Sequence, residues 1–203
     1  FVLFEDFLYA LYAEVHAARG TKGGLERLSP YLGKGARRTY SNLPASDVKA
    51  VVVGGMRIDE ITAEDDVAKV TVVFTTNVSE RAKAKDDESS SPEAAWYMEE
   101  RWVLERKATA KSRPPERARV IGCPSCGAPL DKIVAGECGY CHTTSNAGAN
   151  DWYVDSIEIL AREARGPMLT GTTEEVGTDL PTVVAPNAKT RFDALRQADP
   201  SVT

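Results

Sequence analysis

The feature that most constrains this chain is its set of four cysteines, which all lie within one short segment. They form two pairs, Cys123-Pro-Ser-Cys126 and Cys138-Gly-Tyr-Cys141, and no other cysteine occurs in the sequence. A disulfide framework in a secreted domain normally distributes its cysteines across the loops that it joins, so this clustering indicates metal binding in a reducing compartment. Two CxxC pairs supply four thiolates that can converge on one tetrahedral ion.

The spacing therefore predicts one structural Zn²⁺ ion with the ligands Cys123, Cys126, Cys138 and Cys141. Four protein ligands leave no open position for water or substrate, so we predict no catalytic role for this metal. Gly127 and Gly139 stand beside cysteines, where their lack of a side chain allows backbone amides to turn toward the sulfurs. His142 adjoins Cys141, and we interpret it as a bystander because adjacent residues rarely point at one ion.

Three alternatives to zinc remain open at this point. They are two disulfides, a thioredoxin-like redox pair, and iron in place of zinc. A redox pair requires one CxxC that opens a helix, which the turn-rich surroundings of both pairs do not favour. A module of about 30 residues has too little apolar surface to fold unaided, so a bound metal would supply most of its folding free energy.

The composition describes a globular protein. The chain has 203 residues, of which 42% are hydrophobic and 27% charged, and its formal net charge is -5. This length allows one domain and an accessory module, and the acidic balance argues against a general nucleic-acid binder. No stretch approaches about 18 consecutive apolar residues, so we expect a soluble polypeptide. Because the sequence begins without Met, we also expect an excised or processed fragment whose parent could carry a membrane anchor upstream.

Helical periodicity is clearest in the first forty residues, and a brief helical signal recurs over residues 191–197. Apolar residues over 4–19 recur at the spacing of one helical face, which predicts a helix that ends at Gly20. A second short helical stripe follows over residues 25–32 and resumes over 36–40 after a break at Gly33. His16 lies near the end of the first helix, where we interpret it as a capping or packing residue rather than a catalytic one.

From residue 48 onward the apolar pattern has the period of a β-strand. Residues 48–61 and 67–78 predict an antiparallel pair, with a bulge or bend at Gly54-Gly55. The polar stretch 79–93 predicts a loop. Two further half-exposed strands are predicted over residues 96–106 and 152–159, and we expect these two to pair with each other. The cysteine-containing segment is then an insertion between two paired strands, which we expect to form a rigid projection.

A basic run occupies residues 106–119 and contains one acid, Glu116, beside six cations: Arg106, Lys107, Lys111, Arg113, Arg117 and Arg119. We favour a solvated linker over a basic patch for anionic lipid or nucleic acid. From residue 165 the chain is rich in Gly, Thr and Pro, which predicts a tail that lies extended on a surface.

Helices followed by about four antiparallel strands predict an α+β fold in which a strongly curved sheet wraps around the first helix as a cone.

The residues also resemble a known family. The segments that carry the resemblance are Phe4-Glu-Asp-Phe7-Leu-Tyr-Ala-Leu11, Leu25-Glu-Arg-Leu28-Ser-Pro-Tyr-Leu32, Val51-Val-Val-Gly-Gly-Met56, Glu100-Arg-Trp102-Val-Leu-Glu-Arg106 and Asp151-Trp152-Tyr-Val-Asp-Ser-Ile157. Over about residues 3–160 they look like the bacterial branch of the Tim-forty-four-like domain, which is related to the mitochondrial import-motor anchor.

The resemblance implies the fold of nuclear transport factor two, a cystatin-like cone, formed here by residues 1–110 and 151–162. Residues 111–150 would be an inserted zinc ribbon, which departs from the mitochondrial pattern. Residues 163–203 would be the extended tail, with the first residues of a further repeat at its end.

The function that the resemblance implies is a non-enzymatic binding or scaffold domain of a membrane-associated bacterial protein. It would lie on the cytoplasmic side of the inner membrane, or in the cytoplasm if the parent has no anchor. The expected partner is a protein, with an anionic membrane surface as a further candidate. A second copy of the chain, bound through the tail, is another candidate partner. Nucleic acid is the least favoured of these partners.

Two alternative functions are kept. The first is a small-molecule-binding or enzymatic cone that uses an inward acid, for which Glu100, Asp59 and Asp155 are candidates. We interpret all three as residues on the exposed faces of their strands, because burial of an unpaired carboxylate is costly. The second alternative is nucleic-acid binding through the ribbon and the adjacent basic run.

Overall fold

A computed structural model describes residues 2–44, 46–82, 93–111, 114–117, 119–134, 136–144 and 148–166. The chain divides into two compact units, Phe1–Pro167 and Met168–Thr203. The second unit lies outside the described residues, and so do nearly all of the predicted extended tail and the predicted start of a further repeat.

Three helices precede the sheet: α1 (Val2–Arg19), α2 (Gly24–Arg27) and α3 (Lys34–Ser41). Helix α1 ends where the periodicity predicts, and its apolar face is buried. The second predicted stripe forms a helix of only four residues, which Gly23 introduces with a φ angle of 71°. Leu28 and Leu32 from this stripe are nevertheless fully buried in the core.

The sheet has four antiparallel strands, so the predicted α+β class with an antiparallel sheet is confirmed. Their spatial order is β1-β2-β3-β6, and their bounds are β1 (Ser46–Glu64), β2 (Val67–Ala82), β3 (Glu93–Lys107) and β6 (Tyr153–Glu163). A register shift between Val53 and Gly55 marks the predicted bulge. Strands β3 and β6 pair with each other, as expected. A small second sheet joins β4 (Ile133–Val134) to β5 (Glu137–Cys138).

The predicted loop over residues 79–93 is wrong at both ends. Residues 79–82 continue β2, where Ser79 lies opposite both Ala50 of β1 and Ala95 of β3, and Glu93 begins β3. Backbone amides in a central strand pair with both neighbours whatever their side chains are, so polar composition did not end the strand. Residues 83–92 lie outside the described part of the chain.

The hydrophobic core lies between α1 and one face of the sheet. It contains Phe7, Leu8, Leu11, Tyr12, Val15, Val72, Phe74, Trp102, Leu104 and Val154, among others. Each of these strand residues shares the period-two parity that places it on the inner face. No helix in the described part of the chain is both long and apolar enough to cross a membrane.

The segment with the four cysteines, residues 119–144, is called the cysteine module below. It is not a free projection, because Leu130 is only 9% exposed and belongs to the same hydrophobic core as α1. Ile121 and Ile133 pack against that core as well. The buried hydroxyl of Tyr31 donates a hydrogen bond of 2.6 Å to the carbonyl of Gly122, one residue before the first cysteine. The expected projection is wrong, because these apolar residues of the module are buried against the main core, which the cysteine spacing alone does not indicate.

Candidate metal site and a buried carboxylate cluster

The structure brings all four cysteine sulfurs together. Every Sγ atom lies within 4.8 Å of the others, and the Cys123–Cys141 and Cys126–Cys138 sulfur pairs are each 3.8 Å apart. For a Zn–S bond of about 2.3 Å, a regular tetrahedron has sulfur–sulfur edges of about 3.8 Å. The sulfurs are too far apart to be disulfide-bonded, since a disulfide bond is about 2.05 Å long. The arrangement therefore fits a single metal ion.

The two cysteine pairs form equivalent turns. In the first turn the amide of Gly127 donates to the carbonyl of Cys123 at 2.8 Å, and in the second the amide of His142 donates to the carbonyl of Cys138 at 2.9 Å. Gly127 and His142 also share a left-handed backbone, with φ angles of 81° and 54°. Neither CxxC opens a helix among the described residues, which removes the structural basis for a thioredoxin-like pair.

Hydrogen bonding within the module affects the sulfurs unequally. The backbone amides of Cys141 and Tyr140 lower the pKa of Cys138, and the side chain and amide of Thr143 lower the pKa of Cys141 to about 6. The amide of Ala128 lowers the pKa of Cys126, but burial and the neighbouring thiols outweigh it and raise that pKa to about 12. Four adjacent thiolates repel one another, so the cluster needs a cation to hold all four deprotonated.

His142 lies beside the cluster and outside it. Its imidazole Nδ1 is 3.1 Å from a carboxylate oxygen of Glu137, and its side chain is 75% exposed. The group of residues that converge as metal ligands contains only the four cysteines within the described chain. This position agrees with the interpretation of His142 as a bystander.

A groove of about 460 Å³ lies against the first cysteine turn. Its lining includes Lys111, Arg117, Cys123, Ser125 and Asn150, which come from the segment after β3, the cysteine module and the approach to β6. None of the described residues that line it is acidic. We call it the basic groove.

The rest of the basic run is dispersed. The guanidinium of Arg106 lies 4.8 Å from the centre of the Trp152 ring, and Arg119 forms a 2.7 Å ion pair with Asp6 of α1. Arg113 lies outside the described residues. The described cations of residues 106–119 therefore do not form one continuous patch.

A second cluster surrounds Glu100, and here the sequence interpretation was wrong. Asp59 and Asp155 are exposed as expected, but Glu100 is fully buried beside the equally buried His16. The Oε2 atom of Glu100 is 2.8 Å from the Tyr40 hydroxyl and 3.4 Å from His16 Nε2. The indole Nε1 of Trp102 lies 3.4 Å from the same oxygen. These donors offset the burial cost that made an inward acid look unfavourable.

The Glu100 cluster continues through α1 to a second acid. Arg19 Nη1 donates to His16 Nδ1 at 3.0 Å, and Arg19 Nη2 donates to Glu80 at 2.7 Å. Ser46 and Arg162 donate to the carboxylate of Glu80 as well. A guanidinium can only donate, so Nδ1 of His16 accepts and its ring proton lies on Nε2, facing Glu100. Two carboxylates are thereby balanced by two guanidiniums.

Burial, hydrogen bonding and the negative charge of Glu100 shift the pKa values in this cluster. Burial is the largest influence on the pKa of Glu100 and raises it, but hydrogen bonds from His16 and Tyr40 leave the pKa below its ordinary value of 4.5. Burial and then the charge of Glu100 raise the pKa values of Tyr12 and Tyr40 well above their ordinary range. Glu100 is therefore a carboxylate at neutral pH, surrounded by neutral phenols.

Two buried atoms of the cluster have no hydrogen-bond partner within the described structure, Oε1 of Glu100 and Nε of Arg162. The sequence pattern predicts that the Glu100 side chain points inward, because Glu100 is two residues from both Met98 and Trp102, which lie on the buried face of β3. His16 could likewise be placed inward, since it follows the buried Tyr12 by four residues.

The fold and the sites together define an α+β domain that carries a module of four clustered cysteines, compatible with a single metal site. Comparison of the chain with protein-family models, with curated proteins and with solved structures finds no match in any of the three. The resemblance to the Tim-forty-four-like domain accordingly stays a prediction.

Proposed function

We propose that this chain is a non-enzymatic protein-binding domain whose cysteine module holds one structural zinc ion. The observation that carries the proposal is the closed set of four sulfurs at tetrahedral spacing, which leaves no coordination position for a substrate. The module supplies one wall of the basic groove, so the ion would shape a binding surface. Within this proposal the sheet and α1 form the Tim-forty-four-like cone of a membrane-associated bacterial protein, which rests on the resemblance alone.

Metal analysis tests the first half of the proposal. Protein that is purified under reducing conditions, without chelator, is expected to contain about one zinc per chain. A content of about one iron per chain would identify the bound metal as iron instead of zinc. A metal content near zero would refute the site. The Cys126→Ser variant is expected to lose the metal, whereas His142→Ala is expected to retain it.

Site-specific crosslinking tests the second half. A photo-reactive amino acid at Ser125, inside the basic groove, is expected to form an adduct with a partner protein when the full parent protein is expressed in its own host. The matched control is the same amino acid at Lys22, an exposed position at the turn after α1. Absence of a protein adduct that is specific to position 125 would count against the groove as the binding surface.

The buried Glu100 favours a second candidate function, a small-molecule site inside the cone. An unpartnered carboxylate oxygen is costly in a protein interior, and such atoms are usually satisfied by a water or a ligand. Since the carboxylates of Glu80 and Glu100 are balanced by Arg19 and Arg162, the group that fits is a neutral hydrogen-bond donor rather than a cation. The surrounding rings would favour an aromatic alcohol.

Thermal shift with phenol and benzyl alcohol tests this candidate. Stabilisation of the wild-type chain that is absent in Glu100→Gln would support a ligand site at Oε1. A crystal structure that places a single water on Oε1, together with equal shifts for both proteins, would assign the cluster to structure alone.

A further inference from the structure

We infer that the basic groove binds an acidic segment of a partner protein. This inference rests on the proposed function and adds the chemistry of the partner. The volume of the groove, about 460 Å³, falls within the range of about 300–1,000 Å³ that is usual for ligand sites. Three separate parts of the chain line it, so its shape depends on the folded cysteine module rather than on one loop.

Charge is the first argument for an acidic occupant. Lys111 and Arg117 are the charged side chains among the described residues of the groove, and both are cations. The chain as a whole has a net charge of -5, so this local excess of positive charge runs against the overall balance. Lys111 is exposed and forms no ion pair with any other residue that the structure describes.

The position of Arg117 is the second argument. A Cβ atom built on Gly127 would come within 3.1 Å of the Arg117 side chain, so the guanidinium lies directly against the first cysteine turn. A guanidinium has five N–H donors, so one that lies at the wall of this groove can donate hydrogen bonds to a carboxylate. The cysteine module would therefore orient the cation that recognises the acid.

The shape of the groove favours a peptide over the other anionic partners. Binding to a duplex or single strand normally uses several cations along a line of phosphates, and membrane binding uses a broad cluster of them. Here Arg106 stacks on Trp152 and Arg119 pairs with Asp6, away from the groove lining. Two cations in a concave site beside Ser125 and Asn150 fit a short segment with one or two carboxylates.

Fluorescence anisotropy with a labelled peptide of alternating Glu and Ser, about twelve residues long, tests the inference on the full zinc-loaded chain. Binding is expected at low salt, and it should weaken as salt rises. The double variant Lys111→Glu with Arg117→Glu is expected to bind at least about tenfold more weakly. The matched control is Lys22→Glu with Lys34→Glu, which makes the same change in net charge at exposed positions outside the groove lining. Circular dichroism and metal content establish that each variant is folded.

Four results would overturn the inference. The first is no binding of the peptide by folded protein with one zinc per chain. The second is an equal loss in the groove variant and in the control. The third is tighter binding to phosphatidylglycerol vesicles or to a single-stranded oligonucleotide than to the peptide, with the same dependence on Lys111 and Arg117. A crosslinked partner at Ser125 that lacks an acidic segment would also overturn it, while the proposed protein-binding function would stand.

Discussion

The residue after the second cysteine of each turn occupies the same left-handed backbone, yet one of these residues is Gly127 and the other is His142. A left-handed conformation costs a residue with a side chain roughly 1–2 kcal/mol, whereas glycine adopts it freely. The two turns therefore differ in strain although they form the same hydrogen bonds. The sequence showed the glycine but gave no sign that a histidine would adopt its conformation.

Substitution of each of these two residues tests whether the turns differ in backbone strain. His142→Gly is expected to leave metal content unchanged and to raise the free energy of unfolding by up to about 1 kcal/mol, because the backbone strain is relieved. Gly127→Ala is expected to lower it by about 1 kcal/mol or more, since strain is introduced and the added methyl crowds Arg117. Chemical denaturation at neutral pH with metal analysis gives both quantities. Loss of the metal in His142→Gly would mean that the histidine is a ligand after all.

Glu100 links the buried cluster to pH. Its pKa in the folded state lies below the ordinary value of 4.5, so the folded chain binds the proton less readily than the unfolded chain does. The stabilisation from its ionised form is therefore present above about pH 4.5 and is lost as the pH falls through the folded-state pKa.

The Glu100→Gln variant should remove this pH dependence. At pH 7 we expect it to be less stable than the wild type by about 2 kcal/mol, because hydrogen bonds to a charged group are lost. The difference should shrink as the pH falls below 4.5. Urea denaturation of both proteins over the acid range measures it. A difference that stays constant with pH would show that Glu100 contributes only by packing.

The sequence predicts which residues of this cluster are buried, but it does not predict which of them form ion pairs. Strand parity places Glu100 inward, and helical spacing places His16 beside Tyr12 on the buried face of α1. Neither pattern reveals that Arg19 would balance Glu80, because that contact joins a helix end to a strand 61 residues later. Ion pairs between residues so far apart in the chain are set by the tertiary fold, and local sequence patterns do not encode them.

At the scale of elements, a buried hydrogen bond joins the connection between α2 and α3 to the cysteine module. Tyr31, in the connection between these two helices, donates to the buried carbonyl of Gly122 at 2.6 Å, and its ring packs near Phe7 with 6.0 Å between the ring centres. Removal of the hydroxyl would leave a buried carbonyl without this donor, which costs about 1–3 kcal/mol.

Tyr31→Phe is therefore expected to lower the free energy of unfolding by about 1–3 kcal/mol in the metal-bound protein. The effect should be smaller in metal-free protein, where the module no longer holds the Gly122 carbonyl in place. Tyr9→Phe is the control, because Tyr9 is 40% exposed on α1. Equal effects of Tyr31→Phe with and without metal would indicate that the hydrogen bond does not depend on the bound ion.

The strands illustrate the limit of prediction at this scale. Period-two alternation identified all four strands of the main sheet and the pairing of β3 with β6. It places the end of β2 four residues too early, because a polar residue such as Glu80 favours a loop unless partners such as Arg19 and Arg162 balance its charge. Alternation describes the faces of a strand, whereas its ends depend on the neighbouring strands.

At the scale of the whole described unit, the cysteine module and the main sheet share one hydrophobic core through Leu130. We therefore expect metal removal to destabilise the unit as a whole rather than the module alone. With free metal at about 1,000 times its dissociation constant, binding contributes about 4 kcal/mol, which corresponds to a shift in Tm of about 10 °C.

Thermal unfolding with and without chelator measures this coupling. The far-ultraviolet circular dichroism signal of the sheet and the fluorescence of the buried Trp102, followed in a variant with Trp96→Phe and Trp152→Phe, should shift together in one transition. The Cys126→Ser variant is expected to behave like the chelated wild type and to be insensitive to chelator. A separate low-temperature transition that leaves the Trp102 signal unchanged would mean that the module unfolds independently.

The pairing of β3 with β6 also has a consequence for synthesis on the ribosome. Strand β3 emerges first, and its outer edge cannot be completed until residues 108–152 and then β6 have followed. A metal ion that joins Cys123 to Cys141 shortens the effective loop between the two strands and lowers the entropy cost of closing it. A cell short of the metal would therefore expose the edge of β3 for longer during translation, when an unpaired edge is most prone to aggregate.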